Sequence, residues 1–406
     1  MAVGESVWPT MHPVAGFALG TASAGIKRVG RTDILVMSIA DGASVAGVFT
    51  QNAFCAAPVI VGREHVAAGS IRYFLINSGN ANACTGDKGI ADAKACCDAI
   101  AEQTEVLARQ VVPFSTGVIG EYLPVEKILG AIPTALQNLS IDNWDIAAKA
   151  IMTTDTRPKG ASIQFEHDGE VITVTGIAKG AGMIRPNMAT MLAYIATDAV
   201  VAQSVLDKVV KLAADKSFNR ISIDGDTSTN DSCMLVATGQ AGLGMITEPV
   251  GELYEKFVAA VTQVQQQLAL AIVCDGEGAT KCVTVTVTEG TNSAECLKVA
   301  YSIAHSPLVK TALFASDPNW GRIVCAVGYA GVPALDTSKV NVWLDDVCIV
   351  KAGMRASDYT EERGKAIVSK TVFTVKVDLG RGNVTDTVWT TDLSHDYVTI
   401  NAEYRS

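Results

Sequence analysis

The stretch that decides how this chain is read runs Ile177-Ala178-Lys179-Gly180-Ala181-Gly182-Met183-Ile184-Arg185-Pro186-Asn187-Met188-Ala189-Thr190-Met191-Leu192-Ala193-Tyr194-Ile195-Ala196-Thr197-Asp198-Ala199. Its first half, Lys179 to Asn187, holds Gly180, Gly182 and Pro186, so a loop outside ordinary helix and strand angles is expected. Its second half, Met188 to Ala196, is an apolar run broken by one hydroxyl, Thr190, and reads as a buried strand. On spacing alone the commoner meaning of such a run is a core strand with one satisfied hydroxyl. The sharper meaning is the junction at which an enzyme with an N-terminal nucleophile cuts its own chain. Breaking Ala189–Thr190 would give Thr190 a free α-amine. A threonine hydroxyl is a weak nucleophile without a base in reach, and an α-amine titrates near pH 8, so one residue would supply both groups.

The run Lys179-Gly180-Ala181-Gly182-Met183-Ile184-Arg185-Pro186-Asn187-Met188-Ala189-Thr190-Met191-Leu192 resembles the cleavage and nucleophile motif of the ornithine acetyltransferase family, the glutamate N-acetyltransferases of arginine biosynthesis. The resemblance spans nearly the whole chain. It implies cleavage between Ala189 and Thr190 into an N-terminal fragment, 1–189, and a C-terminal fragment, 190–406, opening on the nucleophile. Within the second fragment, about 190–285 is expected to complete the core and about 286–406 to form a C-terminal α/β part.

Upstream, Ile71 to Ile76 reads as a strand and Asn77-Ser78-Gly79-Asn80-Ala81-Asn82 as a loop feeding a helix from Ala91 to about Leu107. A phosphate-loop reading fails there because Asp87, not Lys, follows Gly86. In Val111-Val112-Pro113-Phe114-Ser115-Thr116-Gly117-Val118-Ile119-Gly120 a hydroxyl precedes a glycine whose N–H is sterically accessible. Acyl transfer needs two donors aimed at a developing oxyanion. A turn closing a strand is the plainer reading, and the resemblance makes Thr116 and Gly117 the oxyanion hole. Val125 to Leu136 has helical spacing. Thr153-Thr154-Asp155-Thr156 can cap the preceding helix, and the resemblance adds substrate contact at Thr153. Two β-rich stretches, Ser162 to His167 and Val171 to Gly176, bring Lys179 to a strand end. There an ammonium could meet a substrate carboxylate and, by like-charge repulsion, help keep the Thr190 amine neutral.

Downstream, Ala202 to Ser217 is expected to be a helix. The run Asp224-Gly225-Asp226-Thr227-Ser228-Thr229-Asn230-Asp231 is acidic enough to suggest a cation, but it lacks the length and terminal Glu of an EF-hand loop, and no metal is expected. Glu252 to Cys274 reads as a long helix running into Asp275-Gly276-Glu277-Gly278-Ala279-Thr280-Lys281, where Glu277 is either a solvated acid at a helix end or, by the resemblance, a substrate contact. Val283 to Thr288 alternates as a half-buried strand, and Ala294 to Ala304 reads as a helix. Val372 to Val377 and Val384 to Thr390 are expected to pair as a hairpin across Leu379-Gly380-Arg381-Gly382-Asn383. The last residues look like a polar strand, and the resemblance assigns Asn401 and Ser406 to substrate binding.

Composition bounds these readings. The chain has 406 residues, 18% charged and 49% hydrophobic, which suits a compact multidomain enzyme. A net charge of -10 disfavours nucleic acid and anionic membranes. The ten cysteines show no framework spacing and no Cys-x-x-Cys, so reduced, partly buried thiols are expected. No leader pattern or unbroken run of 18 apolar residues is visible, so a soluble cytoplasmic protein with no membrane partner is expected. The fold class expected is α/β (α+β), and the resemblance implies two packed mixed sheets sandwiched between helices. It further implies transfer of acetyl from N2-acetylornithine to glutamate through an acetyl-Thr190 ester, no cofactor, acetyl-CoA as a possible co-substrate, and fragments associated as α2β2. The rival readings are a self-processed amidase or aminopeptidase and a non-catalytic ligand-binding protein.

Overall fold

A computed structural model describes residues 2–4, 7–185 and 191–403. The chain divides into two compact units, Val7–Asn219 with Asp226–Ile272, and Met1–Ser6 with Arg220–Gly225 and Val273–Ser406.

In the first unit, β1 (Phe17–Ala22), β2 (Ile34–Ile39), β3 (Ser44–Phe49), β4 (Tyr73–Asn80), β5 (Val111–Val118), β6 (Lys159–His167), β7 (Glu170–Lys179) and β8 (Leu192–Thr197) follow in order. The two-residue β9 (Ile221–Ser222) belongs to the second unit, and β10 (Ser232–Ala237) returns to the first. They form two mixed sheets, ordered β1-β2-β4-β5 and β3-β10-β8-β7-β6. The helices are α1 (Ala57–Ala68), α2 (Gly86–Thr104), α3 (Val125–Gln137), α4 (Trp144–Ala150), α5 (Gln203–Asp215) and α6 (Glu252–Cys274).

Strand β2 shows why its sequence is apolar throughout. Leu35, Met37 and Ile39 join a core with Phe74, Phe114, Tyr194, Met234 and Val236, which fills the space between the sheets. Ile34 and Val36 point the other way, into a core with Cys96, Cys97, Ile100, Ile128 and Ile132 of α2 and α3. A strand covered on both faces loses the polar alternation of a half-exposed one. With α5 lying along β3 and β10, the unit is two mixed sheets packed face to face between helices, the layering the family resemblance implies. Helix α6 has an 18-residue window of mean hydropathy 1.5, long and apolar enough to cross a membrane. Its Gln263, Gln265, Gln266 and Gln267 interrupt any unbroken apolar run, and Phe257, Val261, Val264, Leu268 and Ile272 are buried at helical spacing, as in a core helix.

In this unit three expectations about local structure change. The strand expected over Ile71 to Ile76 continues through Asn77-Ser78-Gly79 as β4, and α2 begins at Gly86 rather than near Ala91. Amide-rich segments read as loops because their side chains compete with the backbone; here tertiary partners satisfy them instead. Thr116 and Gly117 likewise lie within β5 rather than in a turn after it.

The second unit is built on a seven-stranded sheet. Its strands are β9, β11 (Cys282–Gly290), β12 (Asn341–Leu344), β13 (Val347–Lys351), β14 (Met354–Arg355), β15 (Val372–Asp378) and β16 (Val384–Thr391), in the order β14-β13-β12-β15-β11-β16-β9. Val283, Val285 and Val287 of β11 are buried with Val299 and Ile303 of α7 (Ser293–Ala304), while Thr284, Thr286 and Thr288 are half-buried on the other face. The hairpin expected between β15 and β16 does not form. β11 lies between them, parallel to β15 and antiparallel to β16. The connecting residues cross the end of β11, with Leu379 N donating to Thr288 O, and Arg381 N and Gly382 N to Glu289 O. A five-residue link reads as a hairpin locally, but β11 offers both strands an apolar face as well as backbone partners. The tail is also different: after α8 (Pro307–Phe314), α9 (Trp320–Gly328) and α10 (Glu361–Val368), it ends in a helix, α11 (His395–Ala402), whose N-cap Ser394 accepts from Tyr397 N. All ten cysteines are free thiols.

Candidate active site

The expected oxyanion pair sits at an irregular, tight stretch of the β4–β5 pairing. Gly117 has φ +138°, and a Cβ there would lie 2.3 Å from the Gly79 carbonyl carbon and 2.5 Å from Asn80 N. Only glycine fits, and the β4–β5 register slips at this point. Buried amides hold the irregularity. Asn77 Nδ2 donates to Asn80 O, Ser115 Oγ to Asn77 Oδ1, and Asn80 Nδ2 to the carbonyls of Glu121 and Tyr122. Asn230 Nδ2 donates to Ala81 O and Ser115 O, tying the acidic loop to the residue before Thr116. The Asn-Ser-Gly-Asn-Ala-Asn stretch is therefore scaffolding for β5.

Lys179, the last residue of β7, pairs with Leu192, the second residue after Thr190 in the sequence. Its Nζ donates to Thr153 Oγ1 at 2.8 Å and to Thr116 Oγ1 at 3.2 Å. Three residues singled out in the sequence, from segments 26 and 63 positions away from the lysine, thus meet at one ammonium.

Asp155 fixes this meeting point, and the sequence showed it only as a capping residue. Its Oδ1 accepts from Lys159 Nζ and from Gly180 N, both at 2.6 Å, and its Oδ2 from Thr153 N at 3.0 Å. Burial pushes its carboxyl up, but the ammonium groups of Lys159 and Lys179 and the hydrogen bonds from Lys159 and Thr153 outweigh it and hold the group well below the usual carboxylate range. One carboxylate therefore holds the backbone at Thr153 and at Gly180, the residue after Lys179. Asp231 was also missed. It is 3% exposed, burial pushes its carboxyl well up against the opposing effect of hydrogen bonds from Ser228 and of Lys179, and Oδ2 has no hydrogen-bond partner among the described residues. The available signal was its place immediately before Ser232–Ala237, a strand buried at every position.

In the second unit, Asn401 Nδ2 donates to Glu277 Oε2 at 2.7 Å and to Tyr397 O at 3.0 Å. Gly278 has φ +66°, and a Cβ there would meet Tyr397 N at 2.5 Å and Ser394 Oγ at 2.6 Å, so glycine lets the start of α11 close onto this loop. Ser394 Oγ donates to Gly278 O and Tyr397 OH to Asp224 Oδ2. Asp392 accepts from Thr280 N and Lys281 N. Burial brings the Lys310 ammonium down to about 8 despite Asp392 and Asp224, and its Nζ donates to the hydroxyls of Thr390 and Thr391. Glu277 and Asn401 are thus partners of each other, although 124 residues apart. Ala189, Thr190 and Ser406 lie outside the described residues. The described residues contain no cluster of three or more His, Cys, Asp or Glu that could hold a metal.

A strand hydroxyl, a second hydroxyl from the link between α4 and β6, an ammonium and a glycine in a tight β-bulge, set against two packed mixed sheets, make this a candidate acyl-transfer centre of a mixed α/β protein. The ArgJ family model matches residues 18–406, and the chain belongs to the ArgJ family. It is 63% identical over 406 residues, all of both chains, to the arginine biosynthesis bifunctional protein ArgJ of Pseudomonas syringae pv. tomato. It is 62% identical, again over all of both chains, to the protein of the same name from Pseudomonas fluorescens. Among solved structures it is similar to the arginine biosynthesis bifunctional protein ArgJ of Bacillus halodurans (36% identity, TM-score 0.48, covering 50% of this chain and 95% of that one). It is also similar to an ornithine acetyltransferase of Mycobacterium tuberculosis complexed with ornithine (37% identity, TM-score 0.38, covering 44% and 94%).

Proposed function

We propose that this protein is an acetyltransferase of arginine biosynthesis that moves acetyl from N2-acetyl-L-ornithine to L-glutamate through an ester on Thr190. The observation that carries the reading is the convergence of Thr116, Thr153 and Lys179 at one ammonium, on a lysine whose strand partner, Leu192, lies two residues after the proposed nucleophile in the sequence. Membership of the ArgJ family selects transfer in arginine biosynthesis over the amidase reading.

In this reading the chain cuts itself between Ala189 and Thr190. The Thr190 hydroxyl then attacks the acetyl carbonyl while its α-amine takes the proton, and Thr116 Oγ–H with Gly117 N–H supports the oxyanion. Collapse breaks the C–N bond, the proton passes to ornithine as it leaves, and the amine of glutamate attacks the ester in a second cycle of the same steps. Lys179 meets the substrate carboxylate, with Thr153 beside it, and Glu277, Asn401 and Ser406 are further substrate contacts. The acyl group is carried by a hydroxyl and the proton by an amine, so the chemistry calls for no cofactor. Acetyl-CoA as a second acetyl donor is supported by the word bifunctional in the relatives' names. We further propose a cytoplasmic enzyme whose fragments associate as α2β2.

The test is to incubate the protein with N2-acetylornithine alone, look for one acetyl group on the fragment beginning at Thr190, and then add glutamate and watch it leave. Parallel initial-rate plots against the two substrates are expected. Intersecting plots with no trapped acetyl would mean direct transfer in a ternary complex and sink the ester. Thr116→Ala is expected to slow turnover by about a hundredfold with a much smaller change in KM, because one oxyanion donor is lost. An unchanged kcat would remove Thr116 from that role.

A further inference from the structure

One buried group has no part in the chemistry so far. Asp231 lies between Asn230, which holds the end of β5, and Ser232, whose N–H donates to Met191 O. Ser228 hydrogen-bonds its carboxyl, while Oδ2 has no hydrogen-bond partner among the described residues. Lys179 and Ser232, the residue after Asp231, are register partners of the same residue, Leu192, on the two sides of β8. Lys179 is the charged group that acts on Asp231, and it also acts on Asp155. A buried carboxylate with a bare oxygen is costly in its charged form, whereas the neutral acid avoids that cost.

We propose that Asp231 is a positioning residue acting through Lys179, deciding whether the lysine pairs with the carboxylate of the substrate. With Asp231 neutral, its carboxyl does not compete for the Lys179 ammonium. When Asp231 ionises, its own carboxylate competes for Lys179 in a poorly screened setting. Burial and the bare Oδ2 favour the neutral form, and the Ser228 bonds and Lys179 favour the charged one. The site is thereby tuned to amino acids that present one carboxylate to the lysine, and it loses them as pH rises through the ionisation of Asp231. This inference rests on the acyl-transfer reading, in which Lys179 meets that group.

The experiment measures KM and kcat for N2-acetyl-L-ornithine from about pH 5 to about pH 9 in wild type, Asp231→Asn and Ser228→Ala. Wild-type KM is expected to climb by up to about tenfold per pH unit above an inflection, as single-proton linkage requires, without a matching change in kcat. Asp231→Asn cannot ionise and should lose that inflection. Ser228→Ala removes a hydrogen bond that favours the charged carboxylate, so its inflection should move to higher pH; this variant decides the matter if the asparagine variant does not fold. A wild-type KM without an inflection, or one that survives in Asp231→Asn, overturns the inference, since a purely structural role for Asp231 would leave the profile in place. Failure of wild type to form any acetyl-enzyme would instead defeat the acyl-transfer reading itself.

Discussion

Denaturing mass spectrometry of the wild-type protein is expected to return two chains of 189 and 217 residues (406 minus 189), and Thr190→Ala a single chain of 406. The expectation follows from what a threonine needs to act as a nucleophile. Its hydroxyl must lose a proton to a nearby base, and the α-amine made by cutting Ala189–Thr190 is a base on the same residue with a pKa close to working pH. Removing the hydroxyl deletes the nucleophile for self-cleavage and for acetyl transfer together, so turnover should fall by on the order of ten-thousandfold or more. Replacement by serine keeps the hydroxyl and should restore part of both. A full-length mass for active wild-type protein would sink the mechanism.

The second large effect is expected at a residue that touches no substrate in this reading. Asp155→Ala leaves the Lys159 ammonium, 1% exposed, without its carboxylate partner, and leaves Gly180 N and Thr153 N without an acceptor. Breaking a buried pair from one side costs about 3–5 kcal/mol, because an uncompensated charge stays behind. Urea unfolding should register that loss, and a change under about 1 kcal/mol would refute the assignment of Asp155 as the anchor of this region. The pH dependence carries a sign. The folded-state pKa of Asp155 is held below its unfolded value, so its contribution is fully present above about pH 4 and is lost as pH falls through the folded value. The wild-type advantage over the alanine variant should therefore narrow in acid. Because Asp155 also sets the backbone beside Thr153 and Lys179, the surviving folded variant should bind its substrates less tightly.

Several elements were legible in the sequence because short-range patterns specify them. Glu252–Cys274 is a helix over the expected range, Val283 to Thr288 alternates as expected, and Lys179 does end a strand. Glycine carries similar local information: at Gly117 the backbone leaves no room for any Cβ, and the sequence already marked that glycine. Where the sequence misled, it did so because the deciding partner lay far along the chain. β15 and β16 look like neighbours across five residues, yet β11, about 90 residues earlier than either end of that link, separates them. The tail reads as a polar strand, and its helix depends on a serine cap and on the loop that Gly278 leaves open to it.

The sequence by itself determined the mixed α/β class, the family, and which hydroxyls and charges to watch, because these rest on composition, period and motif. Tertiary structure alone decided that Thr116, Thr153 and Lys179 meet, that Glu277 and Asn401 hold each other, and that Asp155 and Asp231 are both buried within reach of the lysine's charge. The reason is that an Asp in a hydroxyl-rich stretch has the same local pattern whether it caps a helix in water or pairs with a lysine in the core. Its protonation and its role are set by solvent exclusion and by charges brought from other strands, and neither exists until the chain has folded.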